Sequence, residues 1–575
     1  MKRFFLLVAL LLGAAGMEAQ DLAPLDRTPI YRRSFTARYE LIGDTPVREA
    51  ALSPDSTMVG FVRAGDLYIK NLATGIETRI TTDGERNKII NGATDWVYEE
   101  EYAFTKAWEW SPDSRRVAYL RFDETLVPEF SMMRYGGRLY PEPYTFKYPK
   151  AGEANSVVTL HVYDLARGTT RQVDTGPETD QYIPRIGWTP GRGRRAEGKL
   201  FFYRVNRLQN HFEVVLADAK GGGRVIYNET SPTYVERPDE KTVTFQPDGR
   251  HFVVRNETRT GQWEEYLYSI EDGLVRMFNP LYEEYEDIEV APLGIDYWNE
   301  RVARGEITDG REFFSFGRNA DGGLATGENN DTIELFGWML KPADFDDSGA
   351  TKYPVFMSQY SGPGSVSVFT ERIGAGDRAI YDPLLEAGYV IVCVDPRGTG
   401  GRGEAFKKST YGQLGRLETE DQIAAARHLA TLPWVDSARI GIYGWSYGGF
   451  IALNSVLKGA DVFAAAVAVA PVTSWRYYDT IYTEIYNGLP ADNPAGYDDN
   501  SPINYAELLR GKLLLVHGSG DDNVHVQNSM EMARALVAAN KQFDMMIYPD
   551  DNHSMWPSGS RHVRTKIVDW VKGNL

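Results

Sequence analysis

The chain is poor in cysteine and histidine, has no surplus of basic residues and contains no apolar run long enough to cross a bilayer. One cysteine among 575 residues excludes a disulfide-stapled scaffold. Cys393, inside the apolar run Tyr389–Val394, is expected to be an inert buried strand residue. Neither a metal-ligand set nor a nucleotide-cradling loop is present, so no cofactor is expected. Lys and Arg number 62 against 80 Asp and Glu, a net charge of −18. An acidic chain without a basic patch repels phosphate backbones and anionic lipid heads, so nucleic acid is not an expected partner. The apolar run Phe4–Ala15, about 12 residues, is too short to span a membrane. Lys2 and Arg3 precede it, Ala19 offers a cleavage edge and the chain turns polar at Gln20, so residues 1–19 read as a secretory signal peptide. The mature protein is expected to be exported, periplasmic or secreted, with no stable membrane span.

Hydrophobic residues make up 42% of the chain and charged residues 25%, enough for a large core and two large units or three to four smaller ones. Two grammars divide it. Over residues 27–310 one phrase recurs: Leu52-Ser53-Pro54-Asp55, Trp110-Ser111-Pro112-Asp113, Trp188-Thr189-Pro190-Gly191 and Phe245-Gln246-Pro247-Asp248. Each leads into an alternating strand, such as Met58–Val62 or Arg116–Leu120. A second phrase follows in several copies, as in Asp66-Leu67-Tyr68-Ile69 and Tyr266-Leu267-Tyr268-Ser269. Recurrence every 57 to 78 residues predicts a blade-built β-propeller with insertions. Over residues 311–575 apolar strands alternate with helices. The strands are expected at Tyr353–Gln359, Tyr389–Val394, Ile440–Tyr443, Phe463–Val469, Lys512–Val516 and Asp544–Tyr548, and helices at Glu418–Leu432 and Val526–Ala539. That alternation predicts a mostly parallel sheet covered on both faces.

The sharpest motif is Gly444-Trp445-Ser446-Tyr447-Gly448-Gly449, between a predicted strand and a predicted helix. It matches a nucleophile elbow, in which glycines allow the sharp turn that lifts a serine hydroxyl clear of the sheet. A serine needs a base oriented by a carboxylate, in the chain order Ser, Asp, His. Of the histidines after Ser446, His517 closes a strand, His525 is two residues from the Asp-Asp-Asn turn and His562 lies in the terminal helix. His553, on a loop after a strand, remains as the base. Asp521 and Asp522 both follow a strand end, and spacing alone does not choose between them; an Asx-turn is the competing use of either. Val472, Trp475, Tyr478 and Tyr482, at helical spacing, read as one helix face packed in a core. Glu99–Glu101 read as a solvated acidic turn, and Tyr360 as a strand-end core residue.

Set beside Asp95-Trp96-Val97-Tyr98-Glu99-Glu100-Glu101, the elbow, the 521–523 turn and the His553 loop resemble the prolyl oligopeptidase family of serine peptidases over nearly the whole mature chain. The resemblance implies an N-terminal β-propeller (27–310) and a C-terminal α/β-hydrolase domain (311–575). It implies Ser446 as nucleophile, Asp521 as acid and His553 as base, with an oxyanion hole from the Tyr447 N–H and the Tyr360 hydroxyl. Val472, Trp475, Tyr478 and Tyr482, with Tyr447 and Val524, are implied to form a small pocket for proline, and Asn523 to donate to a substrate carbonyl. Glu100 and Glu101 are implied to grip a free α-ammonium and so measure two residues to the scissile bond. The substrates would then be peptides with a free N-terminus, releasing X-Pro or X-Ala dipeptides, and the assembly a homodimer.

Two departures temper that picture. Eight blades of about 50 residues need roughly 400, more than residues 27–310 provide, so the propeller is expected to be shortened. The arginine that in the family assists substrate binding has no assignable position. The competing readings are a tripeptidyl peptidase or esterase on the same fold, and a catalytically impaired scaffold whose glutamates are not held over Ser446.

Overall fold

The computed structural model describes residues 39–41, 46–191, 197–217, 222–257, 264–277, 294–319 and 332–575. The segment 1–19, expected to be a signal peptide, lies outside them.

The first half folds because one local device is used four times. In each copy the recurrent phrase is the turn between two antiparallel strands, with the proline fixing φ. Leu52 pairs with Val59, Trp110 with Val117 and Phe245 with Phe252; Trp188 pairs with Leu200 across a longer loop. The hydroxyl after the apolar residue closes the turn: the Met58 N–H donates to Ser53 Oγ at 3.0 Å and the Arg116 N–H to Ser111 Oγ at 2.9 Å. Thr189 Oγ1 accepts from the Lys199 N–H at 2.9 Å. Among the described residues four antiparallel sheets result, three of five strands and one of four. The tryptophans of the phrase fasten successive sheets together. Trp110 Nε1 donates to Ala51 O in the sheet before it at 3.2 Å, and Trp188 Nε1 to Glu109 O at 3.3 Å. A separate hairpin, Glu129–Arg134 paired with Glu142–Lys147, projects from the second sheet.

The described residues of the second half form an eight-stranded sheet. In spatial order its strands are Glu312–Asn319, Thr332–Leu340, Val390–Asp395, Tyr353–Ser358, Val435–Trp445, Ala465–Val469, Lys512–Gly518 and Asp544–Tyr548. The first two pairings are antiparallel and the rest parallel, so only Thr332–Leu340 runs against the others. Tyr353–Ser358 and Val390–Asp395 are buried throughout, as expected when helices cover both faces. Period-two alternation splits their side chains between two cores. Val355, Val392, Ile442 and Leu515 meet Leu429, Leu453 and Leu536 on one face. Phe356, Ile391, Cys393, Val467 and Val516 meet Ile380, Ile567 and Val571 on the other. Cys393 is accordingly an inert strand residue whose thiol burial pushes well up. The expected helices form with shifted ends, at Arg416–Ala430 and Gln527–Ala538. Among the described residues no helix is long and apolar enough to cross a membrane.

Several carboxyls lie inside this fold. Burial and the Asp95 charge push Glu124, 4% exposed, up to about 8, and burial pushes Glu418 up to about 7 and Asp95 and Asp395 up to about 6. A carboxyl whose folded pKa is raised favours the native state fully below its unfolded value, and that contribution is lost as pH climbs through the folded value. The melting temperature is therefore expected to fall between pH 5 and about pH 8. Glu124→Gln should remove roughly 2–4 °C of the fall, the shift that about 1 kcal/mol gives in a domain of 150–250 residues. Calorimetry across that range checks it, and an unchanged slope would count against a buried neutral Glu124.

Candidate active site

The strand Val435–Trp445 and the helix Tyr447–Lys458 are separated by Ser446 alone. Its backbone holds φ 60° and ψ −118°, a left-handed setting that costs of order 1–3 kcal/mol and persists only where its surroundings enforce it. They do: the Ser446 N–H donates to Val469 O at 2.8 Å and Ser446 O accepts from the Phe450 N–H at 3.1 Å. The glycines are needed for close approach. A Cβ on Gly444 would lie 2.1 Å from Gly448 O, and one on Gly448 would lie 2.5 Å from Gln359 O.

Asp521 follows the strand Lys512–Gly518 and uses its two oxygens differently. Oδ1 accepts the N–H groups of Asn523 and Val524, each at 3.0 Å, which is the expected Asx-turn. Oδ2 faces His553 Nδ1 at 2.7 Å. Burial works against the charged form of Asp521, but the hydrogen bonds and charge of His553 and His517 hold it well below the usual carboxylate range. Asp522 points elsewhere, accepting Trp96 Nε1 at 3.2 Å; burial and the charges of Asp521 and Glu100 push it well up. The geometry thus separates the two neighbours that spacing leaves equal. His517 is fixed between Ser529 Oγ and Val524 O, each at 2.7 Å, and His562 is bonded to Tyr548 Oη at 2.8 Å. Trp445 Nε1 donates to His553 O at 2.9 Å, which braces the base loop against the residue preceding Ser446.

A cleft of about 320 Å³ contains Ser446, Tyr360, Tyr447, Val472, Trp475, Tyr478, Tyr482, Glu100 and Glu101. Tyr360, 39% exposed, is not the expected core residue; Gln359 Nε2, bonded to Gly448 O at 2.8 Å, holds its strand end against the elbow. Tyr447 is buried with its hydroxyl on Glu418 at 2.6 Å. The single helix expected for Val472–Tyr482 does not form. Ser474 caps a short turn at Trp475–Tyr477, Tyr478 is extended, and Asp479 caps a new helix, Thr480–Asn487. Both caps satisfy backbone N–H groups that a continuous helix would have used, so they break it. The aromatic rings still converge: Trp475 lies 5.4 Å from Tyr447, 5.8 Å from Tyr478 and 5.8 Å from Tyr482. Val524 packs in the same cluster. Gln209 Nε2, donating to Ile481 O at 2.6 Å, and Arg207 Nη2, donating to Glu484 Oε1 at 2.7 Å, fix this wall to the first half.

Glu99–Glu101 are not a solvated turn. Asp95 accepts the Tyr98 N–H at 3.0 Å and starts a short helix, Trp96–Glu101, that reaches into the cleft. Asn523 Nδ2 donates to Glu100 Oε1 at 2.6 Å and its Oδ1 accepts from Tyr478 Oη at 3.0 Å. Two residues absent from the sequence reading complete the group. Arg237 donates to the carboxylate of Glu101 and to its backbone O. Asp479 is buried, and desolvation and the adjoining Glu101 carboxylate push it well up. Arg237 stands in Glu236-Arg237-Pro238, which has no motif around it, and Asp479 reads only as a cap. Among the described residues no group of three His, Cys, Asp or Glu side chains could hold a metal ion.

Comparison with known proteins agrees with this arrangement. The family model described as the dipeptidyl peptidase IV (DPP IV) N-terminal region matches residues 17–299, and that of the prolyl oligopeptidase family matches residues 378–575. A "Probable dipeptidyl-aminopeptidase B" of Metarhizium robertsii is 30% identical over 96% of this chain and 71% of the relative. One from Trichophyton verrucosum is 32% identical over 92% and 70%. The crystal structure of Porphyromonas gingivalis dipeptidyl peptidase 4 superposes with a TM-score of 0.81 at 35% identity, covering 93% of this chain and 84% of that one. With an elbow serine, an Asp–His pair and matches in both halves, the chain belongs to the prolyl oligopeptidase family of serine peptidases, among relatives of the dipeptidyl peptidase IV kind.

Proposed function

We propose that this serine peptidase is an exported exopeptidase that releases X-Pro or X-Ala dipeptides from peptides with a free N-terminus. The observation that carries the reading is the presence of Glu100 and Glu101 in the same cleft as Ser446. A carboxylate pair in that cleft can bind an α-ammonium, which supports the two-residue measure that the family resemblance implies. The apolar slot of Val472, Trp475, Tyr478, Tyr482, Tyr447 and Val524 suits a proline ring, which offers a flat apolar surface and no N–H. The placement of Glu100 and Glu101 in the cleft with Ser446 favours this reading over an impaired scaffold.

In this mechanism Ser446 Oγ attacks the carbonyl carbon of the second residue while its proton passes to His553 Nε2. Asp521 holds the Nδ1–H of His553 and stabilises the imidazolium. The Tyr447 N–H and the Tyr360 hydroxyl receive the developing oxyanion, and Asn523 donates to the carbonyl of the first residue. The intermediate collapses as His553 gives its proton to the leaving amine, and water releases the dipeptide from the acyl-enzyme by the same steps in reverse. We further infer that the four sheets are blades of a shortened β-propeller, a reading supported by the repeated turns and by the tryptophans that fasten successive sheets. Export is supported by the N-terminal residues 1–19, and the homodimer by the family alone.

The test is a panel of chromogenic substrates with free and acetylated N-termini and Pro, Ala or Leu at the second position. Free X-Pro is expected to be the best substrate, with X-Ala second. Rapid cleavage after a third residue, or of simple esters with no preference for a free amine, would favour the tripeptidyl peptidase or esterase readings.

A further inference from the structure

The hairpin Glu129–Arg134/Glu142–Lys147 pairs with no other strand among the described residues. Two strands alone are marginal in water, so it must be held by what it touches, and it touches both loops that carry the Asp–His pair. At its base the Phe130 ring stacks on His525 at 3.5 Å with an interplanar angle of 4°, and Tyr148 lies 4.2 Å from the same imidazole. His525 is fully buried, and neither ring nitrogen has a hydrogen-bond partner among the described residues, so the ring serves as a flat packing plate. Tyr148 Oη donates to Asn523 O at 3.0 Å. These contacts fix the loop of Asp521 and Asn523.

At its tip the hairpin reaches the other loop. The N–H groups of Tyr135 and Gly136 donate to the two carboxylate oxygens of Asp550 at 2.8 and 2.6 Å. The Asp550 N–H donates to Ser519 Oγ at 2.8 Å, and its backbone is left-handed, with φ 61°. Asp550 therefore joins three segments: the hairpin tip, the approach to Asp521 and the approach to His553. Two rigid backbone donors on one carboxylate make charge-assisted bonds that set orientation as well as distance.

We propose that this hairpin is a strap that sets the His553 loop against the Asp521 loop, with Asp550 as its positioning residue. Asp550 lines neither the amine site nor the proline slot, so its role is felt in the placement of the base. A misplacement of about 1 Å at a reacting group costs on the order of 10²-fold in rate. The inference rests on the serine peptidase reading above.

Two variants test it. Asp550→Ala removes the acceptor. Replacing residues 135–141 by Asn-Gly removes both donors and keeps the Arg134–Glu142 pairing, because a two-residue loop of that kind closes a hairpin. Each is expected to lower kcat by about 10- to 100-fold per titrated active site, with KM within about twofold. Both changes together should cost no more than either alone, since they break one contact. Asp550→Asn, which keeps one acceptor oxygen and tolerates left-handed backbone, should recover part of the rate. An unchanged kcat in the shortened hairpin, or losses that multiply in the combined variant, would overturn the strap. The rate of fluorophosphonate labelling of Ser446 needs the base but no amine recognition. It judges the strap separately if the X-Pro reading fails on the parent protein.

Discussion

Replacing Ser446 by alanine is expected to lower kcat by about 10⁶-fold, because members of a catalytic triad act as a unit. The fold should survive, since the backbone bonds that hold residue 446, from its N–H to Val469 O and from the Phe450 N–H to its own carbonyl, do not involve the side chain. Asp521→Asn should cost about 10⁴-fold, the loss seen when a triad acid can no longer hold the imidazole in its working tautomer. Asp521 Oδ2 is the acceptor opposite His553 Nδ1, and an amide there can present its NH₂ group instead. Asp522→Asn should cost much less, because Asn still offers an oxygen to Trp96 Nε1 and replaces a carboxyl whose charged form burial disfavours. The measurements are kcat per labelled site and the thermal melting curve. More than about 1% of parental activity in Ser446→Ala, far above the loss expected for a triad serine, would remove Ser446 from the mechanism. Equal losses at 521 and 522 would mean that the orientation of the turn is misread.

Features written within a few residues of one another were legible in the sequence, and features made by distant segments were not. The proline phrases announced four turns because their prolines, with a hydroxyl in three copies and an aspartate in three, act on backbone groups a few positions away, as at Ser53 and Met58. The elbow was legible for the same reason: Gly444 and Gly448, either side of Ser446, approach each other too closely for a Cβ on Gly444. Asp521 and Asp522 could not be separated, because the choice depends on which carboxylate the turn consumes and where the His553 loop lies. The aromatic wall was recognised by its residue types but given the wrong shape. Helical spacing from Val472 to Tyr482 hid two capping residues, Ser474 and Asp479, that end one element and begin another. Glu99–Glu101 looked solvated because nothing nearby announces Arg237, 136 positions away from Glu101.

That arginine sharpens the expectation for the amine site. Glu100 and Glu101 bring two negative charges and Arg237 one positive charge, while Asp479 is held toward its neutral form by burial and by Glu101. Carboxyls therefore outnumber the one cation, an imbalance that a substrate α-ammonium would reduce and an acetylated N-terminus would not. Glu101→Gln reduces that surplus and also leaves the half-buried Arg237 with the backbone carbonyl of residue 101, a neutral amide and the Tyr482 ring as partners. Breaking a buried charge pair costs about 2–5 kcal/mol, so kcat/KM for a free X-Pro substrate should fall roughly 30- to 5000-fold. The pH profile should change with it. In the parent, activity is expected to fall as the substrate amine, with a pKa of about 7.7–8.0, loses its proton. In Glu101→Gln the charged amine is no longer strongly preferred, so that alkaline limb should flatten. The same electrostatics make an acetylated X-Pro peptide a poor substrate for the parent, since both carboxylates would then be buried against an uncharged chain end. Equal rates on free and acetylated substrates would show that Glu100 and Glu101 do not read the amine. The enzyme would then be an endopeptidase or esterase in which these carboxylates serve only to seat Arg237 and Asn523.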